Sequence, residues 1–237
     1  MYTLKIDAFT HTGQKKALNE DSFAFHKEQN FCILADGVGG NSGGEIASSL
    51  AVDSCYSSLK ESEKKFQRSK HIKNIEYLKS AISNASTKIR SHKLMRPQLQ
   101  KMSTTIVVTK IMKDCFYFAH VGDSQINLVR ENCIYTLTKD HLVSNDLKQS
   151  RDTKNLIKKN ILSRSLGEYT GELIDGSYIE IKAKDCILLS SDGFHNFIEK
   201  NTISNMLKKH VSTKDLVMTA LNNGSNDNIS LITIKVL

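Results

Sequence analysis

Short dense apolar runs and longer stretches with apolar residues every three to four positions divide this chain into two kinds of element. The short runs, rich in β-branched and aromatic residues, predict strands at 3–9, 22–26, 31–35, 104–111, 115–121, 126–130, 133–138, 178–181, 185–190 and 229–236. Helical spacing predicts a helix over 45–59, after a glycine-rich turn, and a second over 72–91. In the latter, Ile72, Ile75, Leu78, Ile82, Ala85 and Ile89 recur on one face. Two shorter helices are expected at 201–210 and 213–222, the second capped by Ser212 or Thr213 and stopped by Gly224. Strands come in runs with helices in pairs between them. Strict β-α-β alternation is absent, which argues against a doubly wound parallel sheet. An α+β arrangement of antiparallel sheets covered by helix pairs fits better. No linker or low-complexity tract divides the chain, so residues 1–237 are expected to form a single domain.

Three apolar runs end on an aspartate beside a glycine. Phe31 to Ala35 leads into Asp36-Gly37, Phe116 to Val121 into Gly122-Asp123-Ser124, and Cys186 to Leu189 through two serines into Asp192-Gly193. Asp227 precedes the last apolar run, and Glu20-Asp21 stands near the N-terminus. An acid at the mouth of a buried strand is held rigidly yet reaches solvent. If these acids converge, two like charges about 4 Å apart repel by roughly 4 kcal/mol at an effective dielectric near 20. Protons or cations must relieve such a cluster, and all-oxygen ligation selects Mg²⁺ or Mn²⁺ over zinc. Glycine at 37 leaves its carbonyl open to a metal beside Asp36. The segment from Asp36 to Glu45 equally reads as a plain strand-to-helix turn. It lacks the Gly-Lys-Ser/Thr ending of a P-loop and the G-x-G-x-x-G pattern. The histidines show no metal-ligand spacing, and His120 and His141 are expected in structural roles. No G-x-S-x-G elbow supports a serine nucleophile.

Composition narrows the picture further. The 237 residues suffice for one substantial core. No apolar stretch approaches a membrane span, and the first residues lack a signal-peptide core, so a cytoplasmic protein is expected. Five cysteines, none in a C-x-x-C pair, read as buried thiols in a reducing compartment. The net charge of +8 is spread over lysine-rich faces without interleaved aromatics, which speaks against nucleic-acid binding.

The ordered set of motifs resembles the metal-dependent protein phosphatases, the protein phosphatase 2C or PPM family, in its bacterial form. The resemblance runs through Asn19-Glu20-Asp21, Asp36-Gly37-Val38-Gly39-Gly40, Ser103-Thr104-Thr105, Val121-Gly122-Asp123-Ser124 and Asp140-His141. It continues through Leu162 to Gly167 and Ser191-Asp192-Gly193 to Asp227-Asn228-Ile229-Ser230. It implies a four-layer α-β-β-α sandwich of two antiparallel sheets flanked by helix pairs. It also implies hydrolysis of phosphoserine and phosphothreonine by water activated at a binuclear Mn²⁺ or Mg²⁺ centre. By resemblance, Glu20, a bridging Asp36 and the Gly37 carbonyl hold one side of the pair, and Asp192 and Asp227 the other. Asp21 anchors water on the metals, and Asp123 with Asp192 matches a third metal site. The implied partner is a phosphorylated protein, the product of a serine/threonine kinase or the kinase itself, and the implied state is a monomer without nucleic acid or membrane.

Some positions depart from the family pattern. The arginine that usually binds substrate phosphate, four residues before the metal-binding glutamate, is Lys16 here. Lysine is a point charge without a bidentate grip, so weaker substrate binding is expected. Gln125 replaces an arginine, and a lost local ion pair is expected there. Ser103 and Leu142 replace a glycine and a serine. The stretch 141–165 is the expected flap, short and basic, with Lys148, Arg151, Lys154, Lys158 and Lys159. Two rival readings remain open on sequence alone: a pseudophosphatase acting as a binding module, and a phosphatase of a small phosphorylated molecule.

Overall fold

The computed structural model describes residues 2–38, 43–66, 70–143, 161–168 and 173–237. The strands are β1 (Leu4–His11), β2 (Asp21–His26), β3 (Phe31–Val38), β4 (Ser103–Thr104), β5 (Ile106–Met112) and β6 (Cys115–Val121). They continue with β7 (Gln125–Arg130), β8 (Cys133–Thr136), β9 (Asp175–Glu180), β10 (Cys186–Ser190) and β11 (Ile229–Val236). The helices are α1 (Gly44–Ser62), α2 (His71–Met95), α3 (Asp192–His195), α4 (Lys200–Lys208) and α5 (Thr213–Asn222). One sheet has the order β1-β11-β10-β7-β8, and the other β2-β3-β5-β6-β9 with β4 paired to β3. All paired strands are antiparallel.

Three apolar cores explain why the strands read as continuous runs. Alternate residues of a strand face opposite sides of its sheet. Phe31, Ile33 and Ala35 of β3 pack under α1 and α2 with Ala51, Cys55, Ile82 and Ile89. Their neighbours Cys32 and Leu34 face the other sheet, meeting Ile126, Leu189, Ile232 and Ile234. On the far side, Leu188 and Leu231 pack against Phe194, Ile203, Leu216 and Val217 of α3, α4 and α5. Both faces of each central strand are therefore buried, and the expected four layers follow.

The predicted elements recur with shifted ends. Strand β9 begins at Asp175, earlier than expected, because its opening residues Asp175-Gly176-Ser177 carry no apolar signal. The run 104–111 is split at Thr105, whose amide leaves the ladder and donates to the Asp36 carbonyl at 2.9 Å. The single turn α3 was not expected. Ser212 caps α5 in a capping box with Asp215, an arrangement contributing about 1 kcal/mol. Gly224 follows that helix with φ +96°. Four cysteines are buried, whereas Cys133 is exposed on the edge strand β8. Most of the expected flap, residues 144–160, lies outside the described residues, and with it the five basic side chains named for it.

Candidate active site

Strand ends place the acids at one end of the sandwich. Antiparallel pairing sets Asp21, the first residue of β2, opposite Asp36 near the end of β3. Asp192 follows β10 by two residues, Asp227 precedes β11 by two, and Asp123 sits in the β6–β7 turn. A cavity of about 500 Å³ gathers Glu20, Asp36, Gly37, Asp123, Asp192, Asp227 and Lys16. Seven of the eight sequence-predicted site residues thus line one cleft. The eighth, Asp21, is buried beside them and contributes to the electrostatic repulsion felt by Asp36.

The cluster carries the strain expected of crowded carboxylates. Burial, reinforced by Asp21, Asp192, Asp123 and Asp227, holds the Asp36 carboxyl well above its usual range. Burial and then Asp227 raise Asp192. Burial, with Asp192 and Asp140, pushes Asp123 up to about 7. Asp21 also rises to about 7 through burial, against the hydroxyls of Ser230 and Ser191. Ser191 Oγ donates to Asp21 Oδ2 at 2.8 Å, while Oδ1 is buried without a partner among the described residues. Burial raises Glu20, with Lys16 opposing. Lys16 Nζ lies 2.6 Å from Asp227 Oδ1. Burial alone would lower its pKa, but Asp227, Glu20 and Asp36 hold it above the ordinary value. One lysine cannot neutralise five acids, and both ends of its ion pair reach solvent, so the pair contributes at most about 1 kcal/mol.

These observations fit a hard divalent ion. The oxygens lining the cleft belong to carboxylates, serine hydroxyls and the backbone, without thiol or imidazole among the described residues. Gly37 N–H donates to the Glu20 carbonyl at 3.1 Å. A Cβ at Gly37 would collide with the Gly44 carbonyl and come within 2.7 Å of that Glu20 oxygen. Only glycine permits this close approach.

A surrounding frame holds the acids in place. Asn228 Oδ1 accepts from the Glu20 amide at 2.9 Å, and its Nδ2 donates to the carbonyls of Thr12 and Leu18. Asn228 thereby staples the Lys16–Glu20 loop to the mouth of β11. Thr105 Oγ1 accepts from the Asp36 amide at 3.0 Å and pairs with Ser124 Oγ at 2.7 Å. His141 Nδ1 accepts from the Gly122 amide, and its Nε2 meets Asp175 Oδ2 at 3.1 Å. His120 stacks on His141 with ring centroids 4.7 Å apart. With Asp175, the two rings bring three possible metal-ligand atoms within 4.8 Å of one another, a grouping that the sequence spacing did not signal. In place of the ion pair expected to be lost, the neutral Gln125 amide donates to both oxygens of Asp140 at 3.1 Å.

Helix α2 anchors the opposite wall. Leu162, Ser165 and Glu168 line the cleft. Leu166 exchanges backbone hydrogen bonds with Thr104, and the Gly167 amide donates to Ser86 Oγ. The buried Lys93 donates from Nζ to the Gly167 carbonyl at 2.8 Å, and burial lowers its pKa. Losing that donor leaves a buried carbonyl unsatisfied, at about 1–3 kcal/mol. Lys93→Met is therefore expected to lower the melting temperature by about 3–8 °C. It should also speed amide exchange across 162–168, and unchanged exchange there would refute the anchoring role. Sequence reasoning missed Lys93, although it continues the buried α2 stripe four residues beyond Ile89. It assigned no role to Asn228, Ser165 or Glu168.

The sequence matches protein phosphatase 2C over residues 10–229. This chain is a member of the protein phosphatase 2C family. It is 28% identical to the protein phosphatase PhpP of Streptococcus pneumoniae, covering 98% of both chains. It is 29% identical to a serine/threonine phosphatase stp of Listeria welshimeri, over 95% of this chain and 93% of that one. A Streptococcus agalactiae serine/threonine phosphatase structure superposes with a TM-score of 0.88 at 28% identity, covering 99% and 100% of the chains. The PstP catalytic domain in complex with two manganese ions superposes at 0.83 with 26% identity, covering all of both chains. The α+β sandwich expected from the sequence is thus the fold of this family.

Proposed function

We propose that Glu20, Asp36 and the Gly37 carbonyl hold one of two divalent ions and Asp192 and Asp227 the other, with Asp36 shared. The enzyme is a metal-dependent protein serine/threonine phosphatase of the 2C type, with Mn²⁺ or Mg²⁺ as cofactor. The observation that carries the residue assignment is the convergence of these oxygens in one cleft at a charge density that protons or cations must relieve. When bound, the ions supply Lewis acidity to the phosphoryl oxygens and lower the pKa of a water between them.

The chain's own groups orient the reaction. Asp21, held by Ser191 and buried beside the cleft, would anchor water on the ions. That water attacks phosphorus in line, and the serine or threonine oxygen leaves as the alcohol. Lys16, at the rim, offers its ammonium to the phosphoryl oxygens. Asp123, beside Asp192, offers oxygens to a third ion. Residues 1–237 act as one catalytic domain on this reading, since the three cores share two sheets. The partner is a kinase-phosphorylated protein, and we read the enzyme as a cytoplasmic monomer. No described helix is long and apolar enough to cross a membrane.

Phosphate release from a phosphothreonine peptide, with Mn²⁺ against EDTA, tests the reading. Turnover unaffected by EDTA would refute it. Lys16→Arg tests the rim cation. A bidentate guanidinium should lower KM about 3–10-fold with a smaller change in kcat. A KM that is unchanged or higher would remove Lys16 from substrate binding.

A further inference from the structure

A second and larger cavity, about 830 Å³, opens at the opposite end of the β1-β11-β10-β7-β8 sheet. It lies along β10 from the acid cleft. Cys186 lines it, and Asp192 lies six residues away, about 20 Å in extended chain. Val129, Cys186, Leu207 and Val236 give it apolar walls. Lys182, Lys184, Lys208 and Lys235 ring it, joined by His210. None of these four lysines makes an ion pair among the described residues. Of the two acids in the lining, Asp185 is held by the guanidinium of Arg130, at 2.8 Å and 2.6 Å. Among the described lining side chains, Glu131 is the other carboxylate, set against four lysines.

The rim is built from three tight turns. Glu131, Asn132, Lys184 and His210 all have positive φ, between 50° and 72°. Non-glycine residues adopt that conformation only where their surroundings hold them, so the rim is preformed. The volume lies in the range of pockets that enclose a ligand of several hundred daltons or a pair of peptide side chains.

We propose that this cavity binds an acidic peptide segment bearing an apolar anchor side chain. Charge complementarity selects an anion, and the apolar walls select a hydrophobic body. The cations come from three segments, the turn holding Lys182 and Lys184, the end of α4 and the end of β11. They are also lysines, point charges without the fork geometry that grips a single phosphate, while the one arginine is committed to Asp185. Dispersed carboxylates flanking a leucine or phenylalanine match this layout. As a docking site for phosphoprotein substrates, the cavity rests on the phosphatase reading. Its affinity for the peptide does not.

Fluorescence anisotropy with a labelled hexapeptide of four glutamates, a leucine and a phenylalanine tests the proposal on the full chain. Saturable binding is expected, weakened about tenfold or more in Lys184→Glu/Lys208→Glu. Binding should be unchanged in Lys60→Glu/Lys88→Glu, which reverses two exposed lysines on α1 and α2. Melting curves establish that both variants fold. Equal binding by both double variants, or none up to about 1 mM peptide, would overturn the proposal. Capture by phosphatidylglycerol vesicles in place of the peptide, lost in the same variant, would overturn the peptide assignment in favour of an anionic lipid surface. Hydrolysis of a short phosphothreonine peptide is read in parallel and should match wild type in both variants. A failed docking site and a failed phosphatase reading therefore give different results.

Discussion

Asp192→Asn lowers Mn²⁺-dependent phosphate release from a phosphothreonine peptide by about 10³-fold or more, while stabilising the metal-free protein. Both effects have one cause. Asp192 stands in a buried cluster where Asp227 and the surrounding burial oppose its charge. The neutral amide removes that repulsion, so the empty cleft folds more easily. The same change takes an anionic oxygen from the ion that must offset phosphoryl charge. Losing one preorganised electrostatic contact in an active site lowers rates by about 10²–10³, and a direct ligand to the ion stands closer to the reaction than most. Asp36→Asn should behave alike, with the larger gain in metal-free stability because Asp36 faces four other acids. Steady-state turnover and melting curves in EDTA check the pair of effects. Activity within tenfold of wild type would remove Asp192 from the metal centre. A fall in metal-free stability would mean that the cluster is held together by contacts other than those described.

How far the sequence carried the structure depends on the range of the contacts involved. Central strands such as β3 and β10 were legible because both faces are buried, leaving an unbroken apolar run ending on an acid. The first half of β9 was not, because Asp175-Gly176-Ser177 is ordered by pairing with β6, which no local pattern records. The acids were legible as strand-end carboxylates, and their ordered resemblance supplied roles. Their supports were not. Ser191 meets Asp21 across 170 positions, and Asn228 meets the Glu20 amide across 208. Such contacts are consequences of the fold. The basic cavity is assembled from four segments, three of which bring its lysines.

The metal-free protein is expected to lose stability as pH rises from about 4 to 8, and divalent ions to restore it most at the upper end. The sign follows from Asp21 and Asp123, whose carboxyls rise from an ordinary 3.8 to about 7 in the folded state. Between those values the native protein holds protons that the unfolded chain has released. Stability from these groups is then fully present below about 4 and falls as pH climbs through 7. Burial raises Asp36 and Asp192 in the same direction. Each pKa unit corresponds to about 1.4 kcal/mol, and the crowded groups share part of one effect. A fall in melting temperature of about 5–10 °C between pH 5 and pH 8 in EDTA is the expected scale for a chain of this size. Ions that bind only the native cleft at about 100 times their Kd return roughly 2.7 kcal/mol. Because they displace protons, that gain shrinks as pH falls toward 5. Melting curves across pH, with EDTA and with Mn²⁺, read both trends. A metal-free stability that rises with pH, or a Mn²⁺ shift that is largest at pH 5, would mean that these carboxylates do not form the ion site.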